Sequence, residues 1–180
     1  MRLYTIGHST RPADEFIALL EDSGVDLLAD VRSVPLSRHN PQFNADILAG
    51  ALAEAGIAYR HLKALGGRRG AQKLGQPSPN AGWRVTGFRN YADYALAPAF
   101  RDGFQTLLDL ANDHTCAVMC AEAHWSRCHR RIITDHLLAA GHEVVHILGP
   151  GETGPARLTP HAQVQPDGTL TYPAKQGALF

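Results

Sequence analysis

The segment richest in chemistry is Cys120-Ala-Glu-Ala-His-Trp-Ser-Arg-Cys-His-Arg130. It carries thiols at Cys120 and Cys128, a carboxylate at Glu122, imidazoles at His124 and His129, and guanidiniums at Arg127 and Arg130. An apolar run precedes it and an amphipathic one follows, so it reads as a strand-to-helix connection. Ser126 suits an N-cap, which predicts Arg127, Cys128 and His129 in the first helical turn. A thiol there is stabilised as thiolate by free backbone N–H groups and the helix dipole, and nearby Arg and His lower its pKa further. The same features bind phosphate or sulfate. The bland reading stays open for Cys120, since a small thiol at the end of a buried strand is often only core.

Three chemistries fit these residue types. One is nucleophilic attack by a thiolate, with Cys128 or Cys120 as nucleophile and His8 and His129 as helpers. Another is general acid–base catalysis by Glu122 on an arginine-bound anion. The third is a metal held by Cys120, Cys128 and His129 or His124. Their spacing matches no standard zinc pattern, so no metal ligands are assigned and no cofactor is identified.

Positioning such a site takes several elements. Apolar runs at 3–6, 27–31, 57–62, 116–121 and 143–148 predict about five strands, mostly continuous in hydrophobicity, as in a sheet covered on both faces. Helical stripes lie between most of them, over 12–23, 44–55, 98–112 and from near Ser126 to Ala140. This alternation predicts a three-layer α/β fold with a mainly parallel sheet and helices on both faces. Residues 1–150 form a single domain in this reading. Residues 151–180 are a tail packed on it, with a hairpin turn at Gln165-Pro166-Asp167-Gly168-Thr169.

Ligands of open parallel sheets bind beyond the carboxyl ends of the strands. Those ends supply His8 and Ser9, then Asp30 with Arg32, then Gly66, Gly67 and Arg68, then Cys120 and Glu122. Asp30 either caps a loop or holds Arg32 in position by an ion pair. His136, on a helix stripe, and His146, inside a strand, read as packed residues.

Net charge is zero and 44% of the chain is hydrophobic, so a full core needs no disulfide staples. No apolar run is long enough for a membrane span, and the N-terminus lacks a signal-peptide core. With three cysteines, thiols are expected to be reduced and the setting cytoplasmic. Charge is uneven: from Ala55 to Ala92 there is no Asp or Glu, against Arg60, Lys63, Arg68, Arg69, Lys73, Arg84 and Arg89. Much of it, 66–90, reads as a long basic loop that either binds an anion or is merely solvated. Trp83, Phe88 and Tyr91 offer faces for a stacked base, although such aromatics more often anchor a flap.

Short motifs carry a resemblance. Leu28-Ala-Asp-Val-Arg-Ser33 resembles the rhodanese second-strand pattern, but the bulky residues after Cys120 depart from a phosphate-cradling loop. More specifically, the chain resembles the Domain of Unknown Function 488 family. The matching pieces are Thr5-Ile-Gly-His-Ser9; Asp30-Val-Arg-Ser33 with Pro35, Ser37 and Arg38; Tyr59-Arg-His-Leu62 with Leu65-Gly-Gly-Arg68; Tyr91-Ala-Asp-Tyr94; and Cys120-Ala-Glu122 with Cys128-His-Arg130. The resemblance implies one common site and no particular reaction.

Together these readings give an expected enzyme site with Cys120, Glu122, Cys128, His129 and His8 as catalytic candidates. Ser9, Asp30, Arg32, Arg38, Gly66, Gly67, Arg68, Tyr91, Tyr94 and Arg130 are the substrate-binding candidates. The expected partner is a phosphate-bearing small molecule or nucleic acid. The alternatives are a non-catalytic nucleic-acid-binding or regulatory module, and a metal-dependent enzyme.

Overall fold

The computed structural model describes residues 1–174. The chain runs β1 (Arg2–Gly7), α1 (Ala13–Asp22), β2 (Leu27–Asp30), α2 (Ala45–Glu54), β3 (Ala58–His61), α3 (Thr86–Tyr94), α4 (Pro98–Asp113), β4 (Cys116–Cys120), α5 (Arg130–Ala139) and β5 (Glu143–Gly149). It ends in β6 (Glu152–Pro155) and the pair β7 (Gln163–Val164) and β8 (Leu170–Thr171). The main sheet has the order β3-β2-β4-β1-β5-β6. Its first five strands in that order are parallel, and β6 returns antiparallel along β5. The sheet is thus mainly parallel, as expected, with one more strand than the sequence suggested. No described helix is long and apolar enough to cross a membrane.

Strand alternation divides the core into two layers. Ile6, Leu28, Ala117 and Met119 pack with Phe16, Leu20, Leu48 and Leu52 of α1 and α2. Leu27, Ala29, Cys116, Val118 and Cys120 face the other way, among buried residues of α3, α4 and α5. Parity along β4 therefore turns the Cys120 side chain toward α5. Cys116 is fully buried and is core, and His136 packs on Phe100 and Phe104 at 4.8 and 5.7 Å between rings.

Two expected elements differ. The long loop ends earlier than residue 90, because α3 begins at Thr86 and buries Tyr91, Ala92 and Tyr94. Its turn-like composition hid a helix whose stability comes from tertiary burial rather than propensity. Nor does the last helix start near Ser126. A 3₁₀ turn occupies Trp125–Arg127, Cys128 is extended (φ −137°, ψ 170°), and α5 opens at Arg130 with His129 before it. The Ser126 hydroxyl instead bonds His124 at 2.7 Å.

The tail is fastened to α5 and the loop. Tyr172 is fully buried, donates its hydroxyl to Asp135 at 2.9 Å, and its backbone N–H donates to Asn80 at 2.9 Å. The hairpin sits at the expected turn.

Candidate functional site

The carboxyl ends of β1, β2 and β4 lie side by side and open into a cleft of about 460 Å³. The first residues beyond β1 stay tied to β4: the backbone N–H groups of His8 and Ser9 donate to the carbonyls of Cys120 and Ala121. This draws His8 and Cys120 onto one wall.

The two sulfurs meet there. Cys120 donates its S–H to Cys128 across 3.0 Å. Arg130, only 1% exposed, reaches both with Nε, 3.1 Å from Cys120 Sγ and 3.3 Å from Cys128 Sγ. Its remaining donors go to Thr5 Oγ1 at 3.4 Å and to the carbonyls of Glu122 at 2.6 Å and Ala123 at 3.3 Å. Hydrogen bonding to Cys128 and burial hold the Cys120 thiol well above its usual pKa. Burial would push Cys128 up too, but the S–H from Cys120 and the Arg130 charge outweigh it and bring Cys128 down to about 6. The two shifts run in opposite directions, so of the pair Cys128 is the thiol favoured as thiolate. The guanidinium supplies what a helix N-terminus was expected to supply, because Cys128 lies outside the helix.

The imidazoles at the cleft are neutral. His8 Nδ1 donates to the Ser9 carbonyl at 2.8 Å, which leaves Nε2 to accept from Arg32 Nη1 at 3.3 Å. Burial lowers its pKa to about 4. His129 Nε2 donates to the Val31 carbonyl at 2.7 Å, and burial likewise lowers it to about 4. Gly67 lies flat against that ring; a Cβ there would stand 2.3 Å from His129 Nδ1.

Arg32 is gripped from below. Asp30 accepts its Nη2 at 2.6 Å and its Nε at 2.9 Å, the Phe43 carbonyl takes Nη2 at 2.8 Å, and Tyr59 donates to Asp30 at 2.7 Å. The ion pair read from the sequence is therefore present and buried.

Of the expected residues, His8, Arg32, Gly67, Arg68, Tyr91, Cys120, Glu122, Cys128 and His129 line the cleft. The others serve behind or beside it. Asp30 and Arg130 are buried supports, and Gly66 packs against Ser33, whose hydroxyl accepts the Arg68 N–H at 2.8 Å. Tyr94 donates to the Ala64 carbonyl under the Arg69 guanidinium, 3.8 Å from its ring centroid. Arg38 is exposed off the cleft wall, and Ser9 adopts a left-handed turn (φ 50°) behind His8.

The basic segment does not act as one surface. Arg69 spends its guanidinium on the carbonyls of Gly66, Lys63 and Ala64, so it is structural, and Arg68 alone of the segment's cations lines the cleft. Trp83 is turned inward against Phe88 and Tyr172 and offers no free face. Arg127 and Phe88, noted in the sequence but not assigned to the site, also line the cleft, Arg127 joining Arg68 at the rim; the residues missed from the sequence are Val34, Leu36 and Val85, which form an apolar lip with Phe88. Val34, Leu36 and Val85 are 55%, 69% and 60% exposed, and their apolar type between polar neighbours was the available signal.

Cys120, Cys128 and His129 are the described residues able to hold a metal, their donor atoms lying within 4.8 Å of one another. His124 points elsewhere, to Ser126. The Nε2–carbonyl bond of His129 is what a metal-ligating imidazole makes, but Arg130 already places a cation against both sulfurs.

No functionally curated protein and no solved structure matches the chain. A family model described as Domain of unknown function DUF488 matches residues 12–137. That span takes in Asp30, Arg32, Gly67, Cys120, Cys128 and Arg130, while the Thr5–Ser9 motif lies ahead of it. With well over half its length matched, and with the ordered motifs meeting around one cleft, the chain belongs to the DUF488 family.

Proposed function

We propose that this is an enzyme whose Cys128 thiolate acts on an anionic substrate seated in the cleft, of the nucleotide or nucleic-acid-fragment class, in a cytoplasmic setting. The observation that carries it is the Cys120–Cys128–Arg130 cluster. A hydrogen-bonded thiol pair beneath a buried guanidinium gains nothing for packing that apolar residues would not give. It does present a nucleophile that is charged at neutral pH. Arg68 and Arg127 stand at the rim with side chains that make no hydrogen bond or ion pair among the described residues. In the same cleft the lip of Val34, Leu36, Val85 and Phe88 suits a flat apolar moiety such as a base. Glu122, exposed at the same mouth, is the acid–base group for the leaving atom.

The thiol is tested by the pH dependence of iodoacetamide labelling, read by mass spectrometry. Only the thiolate reacts, so the Cys128 rate should rise through about pH 6 and level off above it. Cys116, pushed up to about 12 by burial, should label only on unfolding. A Cys128 profile centred at or above about 8.5, the unperturbed value, removes thiol catalysis.

The anion is tested by calorimetry with nucleoside phosphates and short oligonucleotides. Binding should weaken as salt rises, and Arg68→Ala with Arg127→Ala should weaken it about tenfold or more, one charged contact being worth about 1.5–3 kcal/mol. Binding indifferent to both would discard the nucleotide reading. A metal-dependent site is the second reading, favoured by the His129–Val31 bond. Stoichiometric metal in the purified protein, lost in Cys128→Ser, would replace the thiolate reading.

A further inference from the structure

Sulfurs of two free cysteines on different elements stand 3.0 Å apart, about 1 Å more than a disulfide bond. One is anchored at the end of β4. The other lies in extended backbone ahead of α5, after a connection, residues 121–127, that is largely exposed. Closing the gap therefore asks for a small shift of an exposed segment rather than of the core. Both cysteines line the cleft, with Cys128 the more exposed of the two at 7% against 2%, so a small molecule meets Cys128 first and Cys120 lies directly behind it. Arg130 Nε is nearly equidistant from the two, and can follow negative charge from one sulfur to the other. That last feature has no use if only one thiol ever ionises.

We propose that Cys120 and Cys128 are a redox dithiol that reduces small anionic disulfides, Cys128 attacking and Cys120 resolving. This rests on Cys128 being the nucleophile and is otherwise independent of the phosphate-bearing substrate. The Cys128 thiolate attacks one sulfur of RS–SR, the RS–SR bond breaks, and RS⁻ leaves and takes a proton from solvent. The product is a mixed disulfide, Cys128–S–S–R. Cys120 then loses its proton to solvent and attacks the Cys128 sulfur. The bond to the second R–S breaks, the second RS⁻ leaves and is protonated, and the Cys120–Cys128 bond forms. One disulfide is reduced to two thiols, and the two protein thiols are oxidised. Carboxylates on the small disulfide would be drawn by Arg68 and Arg127 at the rim. Oxidation consumes the nucleophile, so the disulfide form is silent toward iodoacetamide until reduced.

The experiment treats the full chain, freed of reductant, with glutathione disulfide. It follows intact mass, released glutathione and peptide mapping. Wild type should lose two hydrogen masses, release two glutathiones per chain and yield a Cys120–Cys128 peptide. Cys120→Ser should stop at a stable glutathione adduct on Cys128, and Cys128→Ser should stay unmodified over the same period. If Cys120→Ser does not fold, the mapped wild-type bond decides by itself. A persistent Cys128 adduct in wild type with Cys120 still free overturns the resolving role. No reaction with glutathione disulfide while iodoacetamide still labels Cys128 overturns the redox activity and leaves the nucleophile standing. Failure of both reagents overturns both readings.

Discussion

Replacing Arg130 by leucine is expected to lower folding stability by about 3–5 kcal/mol and to raise the pH at which Cys128 labels. The side chain is 1% exposed and donates to both sulfurs, to Thr5 and to the carbonyls of Glu122 and Ala123. Leucine fills much of the volume but leaves the Ala123 carbonyl without its donor, the Glu122 carbonyl with only the Cys120 thiol at 3.9 Å, and a buried thiolate without a cation. The thiolate answers by taking up a proton, so its pKa returns toward or above the ordinary thiol value.

Linkage sets the sign with pH. Cys128 has a folded pKa below its unfolded one, so its contribution is fully present above the unfolded value and is lost as pH falls through about 6. The stability gap between wild type and Arg130→Leu should therefore widen from about pH 6 to about pH 9. The histidines His8, His129, His136 and His146 are lowered to about 4 mainly by burial, and their charging in acid destabilises both proteins; the Arg130 charge adds to the lowering at His8, His129 and His146, so they widen the gap in the same direction below about pH 6.5, and the part between about pH 7 and pH 9 belongs to Cys128. Urea melts of the two proteins at pH 6, pH 7 and pH 9, alongside iodoacetamide profiles, measure this, the change between pH 7 and pH 9 reporting on Cys128. A gap that is constant with pH would mean that Arg130 supports the carbonyls alone and does not charge Cys128.

The second large effect is expected at Gly7. A Cβ there would stand 1.9 Å from the carbonyl oxygen of Glu122 and 2.7 Å from that of Ala123. Both are backbone atoms of the connection between the two cysteines, so no side-chain rotation relieves the clash. Gly7→Ala should cost more than the about 1–3 kcal/mol of ordinary overpacking. It should also push the 121–127 connection outward, away from Arg130, and slow labelling of Cys128 at pH 7. Gly50→Ala is the matched control. Gly50 lies inside α2 with nothing within 4 Å of a Cβ, so the change should stabilise by about 0.5–1 kcal/mol and leave labelling unchanged. Equal melting temperatures for the Gly7 variant and wild type would show that the close approach is not required.

Legibility differed between kinds of information. The strands could be read because burial on both faces leaves continuous apolar runs, and their common direction because helices alternate with them. Parity puts Cys120 on the same strand face as Cys116 and Val118, but which helices cover that face came only from the packing. The Asp30–Arg32 pair was legible because its members are two residues apart, across one strand end. The helix over Thr86–Tyr94 was not legible, since Gly87 and Asn90 weaken its propensity and its stability comes from packing against α5.

By its own pattern the chain determined which polar residues would collect at one edge of the sheet. Right-handed crossovers in a parallel sheet leave no other place for the residues just beyond β1, β2 and β4. Only the tertiary structure decided what those residues do to one another. Arg69 and Arg68 are adjacent and identical in type, yet one is locked onto three carbonyls and the other stands free at the rim. Cys128 reads as a helix residue but is extended, and takes its charge partner from Arg130 instead of from a helix end. Periodicity and steric preference act over a few residues. The 3.0 Å between the sulfurs is set by how the connection after β4 folds back beneath residues from β1, a long-range distance that no local pattern encodes.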